Sequence, residues 1–173
     1  MKESAADRLF AEPGLSWHSV SPKLVTERRL MVAPAALVGL ALVVTGVVLG
    51  LVGPAVAGLV LGLVGVVLLV LAALAWFVVV PRMVRSWRYA ERSQDLLVSH
   101  GRLLRRLSVV PYGRMQVIEV SANPVSRRLG IATVTLVTAS ATTDARIPGL
   151  PVDTAHEIRD RLAAKGEALT AGL

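Results

Sequence analysis

The clearest pattern along the chain is a break in polarity. Residues 30–80 contain no Asp, Glu, Lys, Arg or His, and every charged residue lies outside that block. The block is 51 residues long, whereas a helix rising about 1.5 Å per residue needs about 20 residues to cross a hydrocarbon core of about 30 Å. It is too long for one span and suits two. Gly53-Pro54 is the natural break, because proline is tolerated in the first turn of a helix and not in its interior. The pattern predicts helices over 30–52 and 55–80 with a turn at 53–54, so short that the helices must be antiparallel neighbours.

Beyond residue 80 the pattern becomes short apolar runs separated by turn signals. Strands are predicted over 87–92, 95–99, 102–110, 115–122, 132–139 and 145–147. Ser99-His100-Gly101, Pro111-Tyr112-Gly113 and Asn123-Pro124 read as turns between them. Thr133 and Thr135 alternate with Val134 and Leu136, as in a half-buried strand. After Pro148-Gly149-Leu150-Pro151 the period changes to that of a helix. Asp153 or Thr154 would cap it, Thr154 forming a capping box with Glu157; Ala155, Ile158 and Leu162 would be its apolar stripe and Gly166 its stop. The expected fold class is membrane α + β: a two-helix transmembrane hairpin, then an antiparallel sheet of six or seven strands capped by a C-terminal helix.

Composition sharpens this. Of 173 residues 54% are hydrophobic and 18% charged, against about 45–50% apolar and about 25% charged in soluble domains. A purely soluble or disordered chain is excluded. With no cysteine there is no disulfide framework, thiol nucleophile or Cys-rich metal site. Three segments follow: 1–29, an N-terminal segment whose role the sequence does not assign; 30–80, the hairpin; and 81–173, one small domain with 14 Arg/Lys against 8 Asp/Glu. Lys23, Arg28 and Arg29 precede the first helix and Arg82, Arg85 and Arg88 follow the second, while the turn is uncharged. The positive-inside rule then puts both termini in the cytoplasm. Trp76, Phe77, Trp87 and Tyr89 bracket the exit of the second helix as interfacial anchors would. Ala55-Val56-Ala57 resembles a signal-peptide cleavage site, but the apolar run before it is longer than the usual core of about 7–15 residues.

Small residues line both helices. Gly39, Gly46 and Gly50 share one face of the first, and Gly58, Gly62, Gly65 and Ala72 one face of the second. Such faces let backbones approach where lipid removes any hydrophobic drive. They serve either packing within the hairpin or a partner helix. No ionisable group lies inside the span, so the hairpin reads as an anchor and not an ion path.

Arg82, Arg85, Arg88 and Arg92, spaced three, three and four, are candidates for anionic-lipid contact beside the simpler role of topology signal. Arg102, Arg105, Arg106 and Arg114 form a second basic group, a solvated face or a headgroup contact. Arg114 and Gln116 share a strand face by the two-residue period, with Glu119 on the other. With Arg127 and Arg128 they are candidates for protein or headgroup contact, against a purely structural role. Asp153, Glu157 and Asp160 among Arg159 and Arg161 read as a solvated helix face. His18, His100 and His156 are scattered, and neither a nucleophile elbow nor a phosphate-cradling loop is present. The chain therefore reads as no enzyme, with no cofactor and no metal. A pI near 11.0 admits nucleic acid, yet no reading motif accompanies it.

The stretch from 86 to 162 resembles the YdbS-like bacterial pleckstrin-homology (PH-like) membrane proteins. The residues that carry the resemblance are Trp87-Arg88-Tyr89, Gly101-Arg102, Arg105-Arg106, the run from Val110-Pro111-Tyr112-Gly113-Arg114-Met115-Gln116 to Val120, Pro124, Arg127-Arg128, Leu129-Gly130-Ile131-Ala132-Thr133-Val134, and Ile147-Pro148-Gly149-Leu150. Two transmembrane helices ahead of the domain suit that family. The resemblance implies a PH-like sheet or barrel capped by a helix in a bacterial plasma (inner) membrane protein, multi-pass, often found with a larger PH-like relative. Eukaryotic PH domains hold phosphoinositides with basic residues at an early strand–strand turn; the corresponding turn here, Ser93-Gln94, has only Arg92 beside it. The expected role is a non-catalytic binding and assembly subunit of a membrane protein complex. Its partners would be other membrane proteins, a larger PH-like relative or a second copy, with non-specific contact to anionic phospholipids and no nucleic acid. The alternative is an anionic-lipid-sensing module, and a third reading is an enzyme whose site lies on a partner.

Overall fold

The computed structural model describes residues 15–101, 104–138 and 144–171, with side chains to 168. They divide into two compact units: Val25–Arg82, and the residues from Met83 onward joined by those up to Leu24.

The helical unit is built on α1 (Lys23–Val52) and α2 (Ala55–Leu74), broken at Gly53-Pro54. α1 starts seven residues before the uncharged block, because Lys, Glu and Arg are themselves good helix formers. The second helix also outruns its expected end. It continues through a π turn (Ala75–Val79) into α3 (Val80–Val84), and Val80 N–H reaches back to Ala75 O. The wider turn lets the helix pass Pro81, whose ring would otherwise crowd the carbonyl four residues back.

Four glycines decide how the hairpin packs. A Cβ on Gly58 would stand 2.6 Å from Gly46 O, one on Gly46 2.7 Å from Gly58 O, and one on Gly65 2.7 Å from Val43 N. On Gly39 it would meet Leu69 Cγ at 3.1 Å. Gly50 and Gly62 differ: a Cβ on either meets nothing within 4 Å. The two G-x-x-x-G pairs thus interlock: a Cβ on Gly58 or Gly46 would strike the backbone of Gly50 or Gly62 on the facing helix, whereas a Cβ on Gly50 or Gly62 would enter open space.

The second unit holds two antiparallel sheets. One has the order β1 (His18–Ser19), β2 (Arg88–Glu91), β3 (Asp95–His100), β4 (Arg106–Pro111); the other β5 (Met115–Ser121), β6 (Ile131–Thr138), β7 (Ala145–Pro151). α4 (Pro124–Leu129) joins β5 to β6, and α5 (Val152–Ala171) ends the described chain. The single sheet expected from the strand pattern, and the sheet or barrel that the resemblance implied, are corrected to two sheets, and among the described residues no ladder joins β4 to β5. Pro111, which has no N–H, and a 3-10 turn (Tyr112–Arg114) interrupt the ladder at that corner. The core lies between the sheets and α5. Leu96, Leu97 and Val98 are all buried, so β3 is covered on both faces, and Ala155, Ile158 and Leu162 are wholly buried beneath the helix.

Several local expectations change for identifiable reasons. Asn123-Pro124 opens a helix and not merely a turn: Asn123 Oδ1 accepts from Ser126 N at 2.7 Å, Pro124 takes the first position, and Gly130 closes the helix with φ +68°. β7 runs on past its expected end at Ile147, through Pro148, Gly149 and Leu150. A register shift opposite Ala132 and Val134 gives β7 an extra residue there, so Pro148 has no ladder bond to lose. α5 starts at Val152, before both expected caps, and passes Gly166, which sits close to Tyr112 and Met115. The strand expected over 102–110 begins, among the described residues, at Arg106.

Part of the N-terminal segment belongs to this unit. β1 pairs with β2, Ser21 N donates to Gly149 O at 2.9 Å, and Val20 and Leu24 are buried. Gly149 has φ +70°, and a side chain there would strike Leu24.

Replacing Gly58 with Leu is expected to destabilise the full chain in detergent by about 1–3 kcal/mol, the usual cost of overpacking, while Gly62→Ala leaves it unchanged. Thermal unfolding of the two variants side by side reads this directly.

Candidate functional site

The β2–β3 turn, which the resemblance sets against the headgroup-holding turn of eukaryotic PH domains, is tied shut. Arg92 N donates to Asp95 O at 2.9 Å, closing the turn over Ser93-Gln94, and Arg92 Nη1 lies 3.6 Å from Asp95 Oδ2. Gln94 O accepts from Tyr112 N at 3.0 Å, and Arg92 O accepts from Tyr112 Oη at 3.0 Å. The tyrosine is 1% exposed, so its ring fills the space beneath the turn.

α5 reaches the same place. Arg161 Nη2 donates to Glu91 Oε1 at 2.9 Å and Lys165 Nζ to Glu91 Oε2 at 3.1 Å, so the carboxylate is held on both oxygens. Arg161 and Lys165 stand one helical turn apart, the spacing that brings both heads to one carboxylate. Lys165 Nζ also lies 3.4 Å from Arg92 O and from Tyr112 Oη, and 4.9 Å from the Tyr112 ring centre. The face expected to be solvated stays exposed, Arg161 included, and Arg161 adds a bond to β2 that the sequence did not foresee. Asp160, with Arg159 at 2.7 Å, and Glu157 remain exposed.

The electrostatics follow from this clamp. Burial works against ionisation of Glu91, but the bonds from Arg161 and Lys165 outweigh it and hold the carboxyl below its ordinary 4.5. Burial pushes Tyr112 upward, so the phenol keeps the proton it donates.

A second junction lies where the chain leaves α3. Ser86 Oγ donates to Met83 O at 2.6 Å and accepts from Gly101 N at 3.3 Å, and Trp87 stacks on His100 with ring centres 4.5 Å apart. Burial, and next the charge of Arg106, lower the His100 pKa from its ordinary 6.5, keeping the ring neutral.

The arginines singled out in the sequence lie in several places. Arg82, Arg85 and Arg88 are exposed, Arg88 on β2 opposite Ser99 and Ser19, whereas Arg92 is half-buried and faces Asp95. Arg105 and Arg106 are exposed at the β3–β4 loop, Arg114 ends the 3-10 turn, and Arg127 and Arg128 are exposed on α4. Arg102 lies outside the described residues. The shared strand face of Arg114 and Gln116 is a correction: Arg114 precedes β5, and Met115 pairs with Thr138 while Val117 pairs with Val137, leaving Gln116 as the bulged residue. Gln116 instead lines a groove of about 450 Å³ with Met115 and Ile118 of β5 and Leu162, Ala163 and Gly166 of α5. Among the described residues no three His, Asp or Glu are grouped to hold a metal ion.

Of the clamp residues, the sequence reading named Tyr112 only in a turn and family motif and Arg161 only on a solvated helix face, and it named neither Glu91 nor Lys165. Its one legible signal was the four-residue spacing of Arg161 and Lys165, since the acid they share is 70 residues from Arg161.

The family model for the bacterial PH domain matches residues 30–166 of this chain, helical unit included. No curated protein and no solved structure matches it.

Glu91→Gln is expected to cost about 1–2 kcal/mol, between the values for exposed and buried pairs. Because the Glu91 pKa is depressed, its contribution is full above the ordinary 4.5 and lost as the pH falls through the lower folded value. The variant therefore flattens the acid limb of a stability–pH curve. His100 is also depressed, so its contribution is present above 6.5 and lost as the pH falls through its folded value. His100→Gln is expected to remove the part of the slope just below neutrality and to leave the more acid limb in place; Trp fluorescence during denaturation follows both.

Proposed function

The chain belongs to the bacterial PH domain family, and on that footing we propose that it is a membrane-anchored, non-catalytic PH-like subunit. Its hairpin spans the bacterial plasma membrane, and its PH-like unit lies on the cytoplasmic side and assembles with other membrane proteins. Within the family we assign it to the YdbS-like membrane proteins; the motifs that carry that resemblance and the two apolar helices ahead of them support this assignment.

The observation that carries the reading is the surface of the hairpin. The apolar windows of its two helices are only 11% and 17% buried. A core helix of a soluble protein has its apolar face covered; here Leu51, Val52, Val56, Leu59, Leu63 and Phe77 are each more than 60% exposed. An apolar surface of that extent needs lipid or protein around it. The arginines flanking both helices and the uncharged turn support an orientation with both termini in the cytoplasm.

Binding to protein is favoured over headgroup recognition by the state of the β2–β3 turn. Its interior is filled by Tyr112 and its carbonyls are taken by Tyr112 and Lys165. The outer edges of β4 and β5 are each free of a ladder among the described residues, and a free edge can accept a partner strand. A second reading, an anionic-lipid sensor, rests on the exposure of Arg82, Arg85 and Arg88 next to the end of α3.

Affinity purification of the full chain in mild detergent, with the mass of the intact particle, tests the choice. Assembly predicts a defined particle well above the 18.3 kDa chain. A monomer that stays monomeric after lipid is restored and binds anionic vesicles by headgroup identity would overturn assembly in favour of the sensor.

A further inference from the structure

The hairpin carries an apolar groove, and a half-buried arginine, Arg29, is bonded to Trp76 in its lining. The groove, of about 500 Å³, is lined by Ala33 and Ala36 of α1 and by Ala72, Ala73 and Trp76 of the second helix. Arg29 lies one turn before Ala33, so 29, 33 and 36 run along one face of α1, as 72, 73 and 76 do along the antiparallel helix. Arg29 Nε donates to Trp76 O at 3.2 Å, and its guanidinium carbon lies 5.7 Å from the centre of the Trp76 ring. That carbonyl belongs to the π turn, and such turns are frequent at functional sites.

The bond to Trp76 uses only Nε. Among the described residues no acceptor meets either Nη of Arg29, so the outer fork of the guanidinium is uncommitted while the indole holds its plane in place. A planar fork with both Nη free is suited to an oxyanion with two oxygens, a phosphate above all. Below it the groove is almost wholly apolar. Its volume falls within the roughly 300–1,000 Å³ of small-ligand sites.

We propose that this groove is a binding site for one anionic phospholipid, with the headgroup phosphate on the Nη fork of Arg29 and an acyl chain along the alanines. The site rests on the membrane reading above, and it differs from the sensor reading in placing recognition on the hairpin and not on the PH-like unit. The charge at the mouth is what selects the occupant. A docked helix would cover the alanines and leave the guanidinium fork unpaired, whereas a phospholipid satisfies both with one molecule. Basic pockets between transmembrane helices on the cytoplasmic side are where anionic headgroups are held.

The test uses the full chain in detergent with phosphatidylglycerol or phosphatidylcholine of identical acyl chains, and native mass spectrometry counts retained lipid. The wild type is expected to retain one phosphatidylglycerol per chain in preference to phosphatidylcholine. Arg29→Gln should cut that preference about fivefold, the worth of one basic residue at a headgroup. Ala73→Leu should abolish retention of both lipids, with Ala36→Leu as the same test from the facing helix, and Arg106→Gln should change nothing. Equal retention of the two lipids by the wild type overturns the proposal, as does an equal effect of Arg106→Gln and Arg29→Gln. So does a change of particle mass in Ala73→Leu with lipid retention intact, which would mark the groove as a protein contact. Alkaline extraction of membranes separates the two levels. A chain that washes off overturns the membrane reading itself, while a chain that stays bound but shows no lipid preference overturns the groove alone.

Discussion

The carboxylate of Glu91 is the point on which the PH-like unit turns. The two sheets do not join between β4 and β5 among the described residues, so the core between them must be covered by α5, which buries Ala155, Ile158 and Leu162. Apolar burial supplies the drive for that but not the position, because it is non-directional. Arg161 and Lys165 on the two oxygens of one carboxylate do fix position, in register along the helix and in rotation about it. Tyr112 extends the same clamp to the β2–β3 turn through Arg92 O.

One consequence is functional. A PH-like fold can hold a headgroup at its early turn only if that turn offers open donors. Here the lysine that reaches it comes from α5 and is already bound to Glu91, Arg92 O and Tyr112 Oη. Other exposed cations are spread over the unit, among them Arg88 on β2, Arg105 and Arg106 at the start of β4, Arg127 and Arg128 on α4 and Arg146 on β7. That distribution suits contacts over a surface better than capture of one ligand in a pocket.

In the helical unit the governing constraint is steric. On the proposed membrane reading the two helices have no hydrophobic drive to hold them together and depend on close packing, which needs the absence of Cβ atoms. Gly39, Gly46, Gly58 and Gly65 meet that need, while Gly50 and Gly62 give their backbones to the contact and only an added Cβ there would enter open space. At the other end of the hairpin the alanines of the groove leave a hollow beside Trp76, and the π turn presents a carbonyl to Arg29.

The hairpin, its break at Gly53-Pro54, most strands and the C-terminal helix were legible in the sequence, because each depends on neighbours a few residues away: an uncharged run, a proline, a two- or 3.6-residue period. The cap of α4 was equally local, and Asn123-Pro124 with Gly130 spelled it out, yet six residues are too few for a period to rise above a turn signal. What the tertiary structure alone decided is non-local. The bulge at Gln116 reversed the parity of β5 and moved that side chain into a groove against α5, and no two-residue count can foresee an extra residue set by the partner strand. Glu91 acquired its two cations from 70 and 74 residues away, and the residues around β1 found their place only because β2 and Gly149 offered backbone to pair with. Local patterning determines which segments are helix and which are strand; which charges are spent on one another and which stay free depends on where the folded chain brings them together.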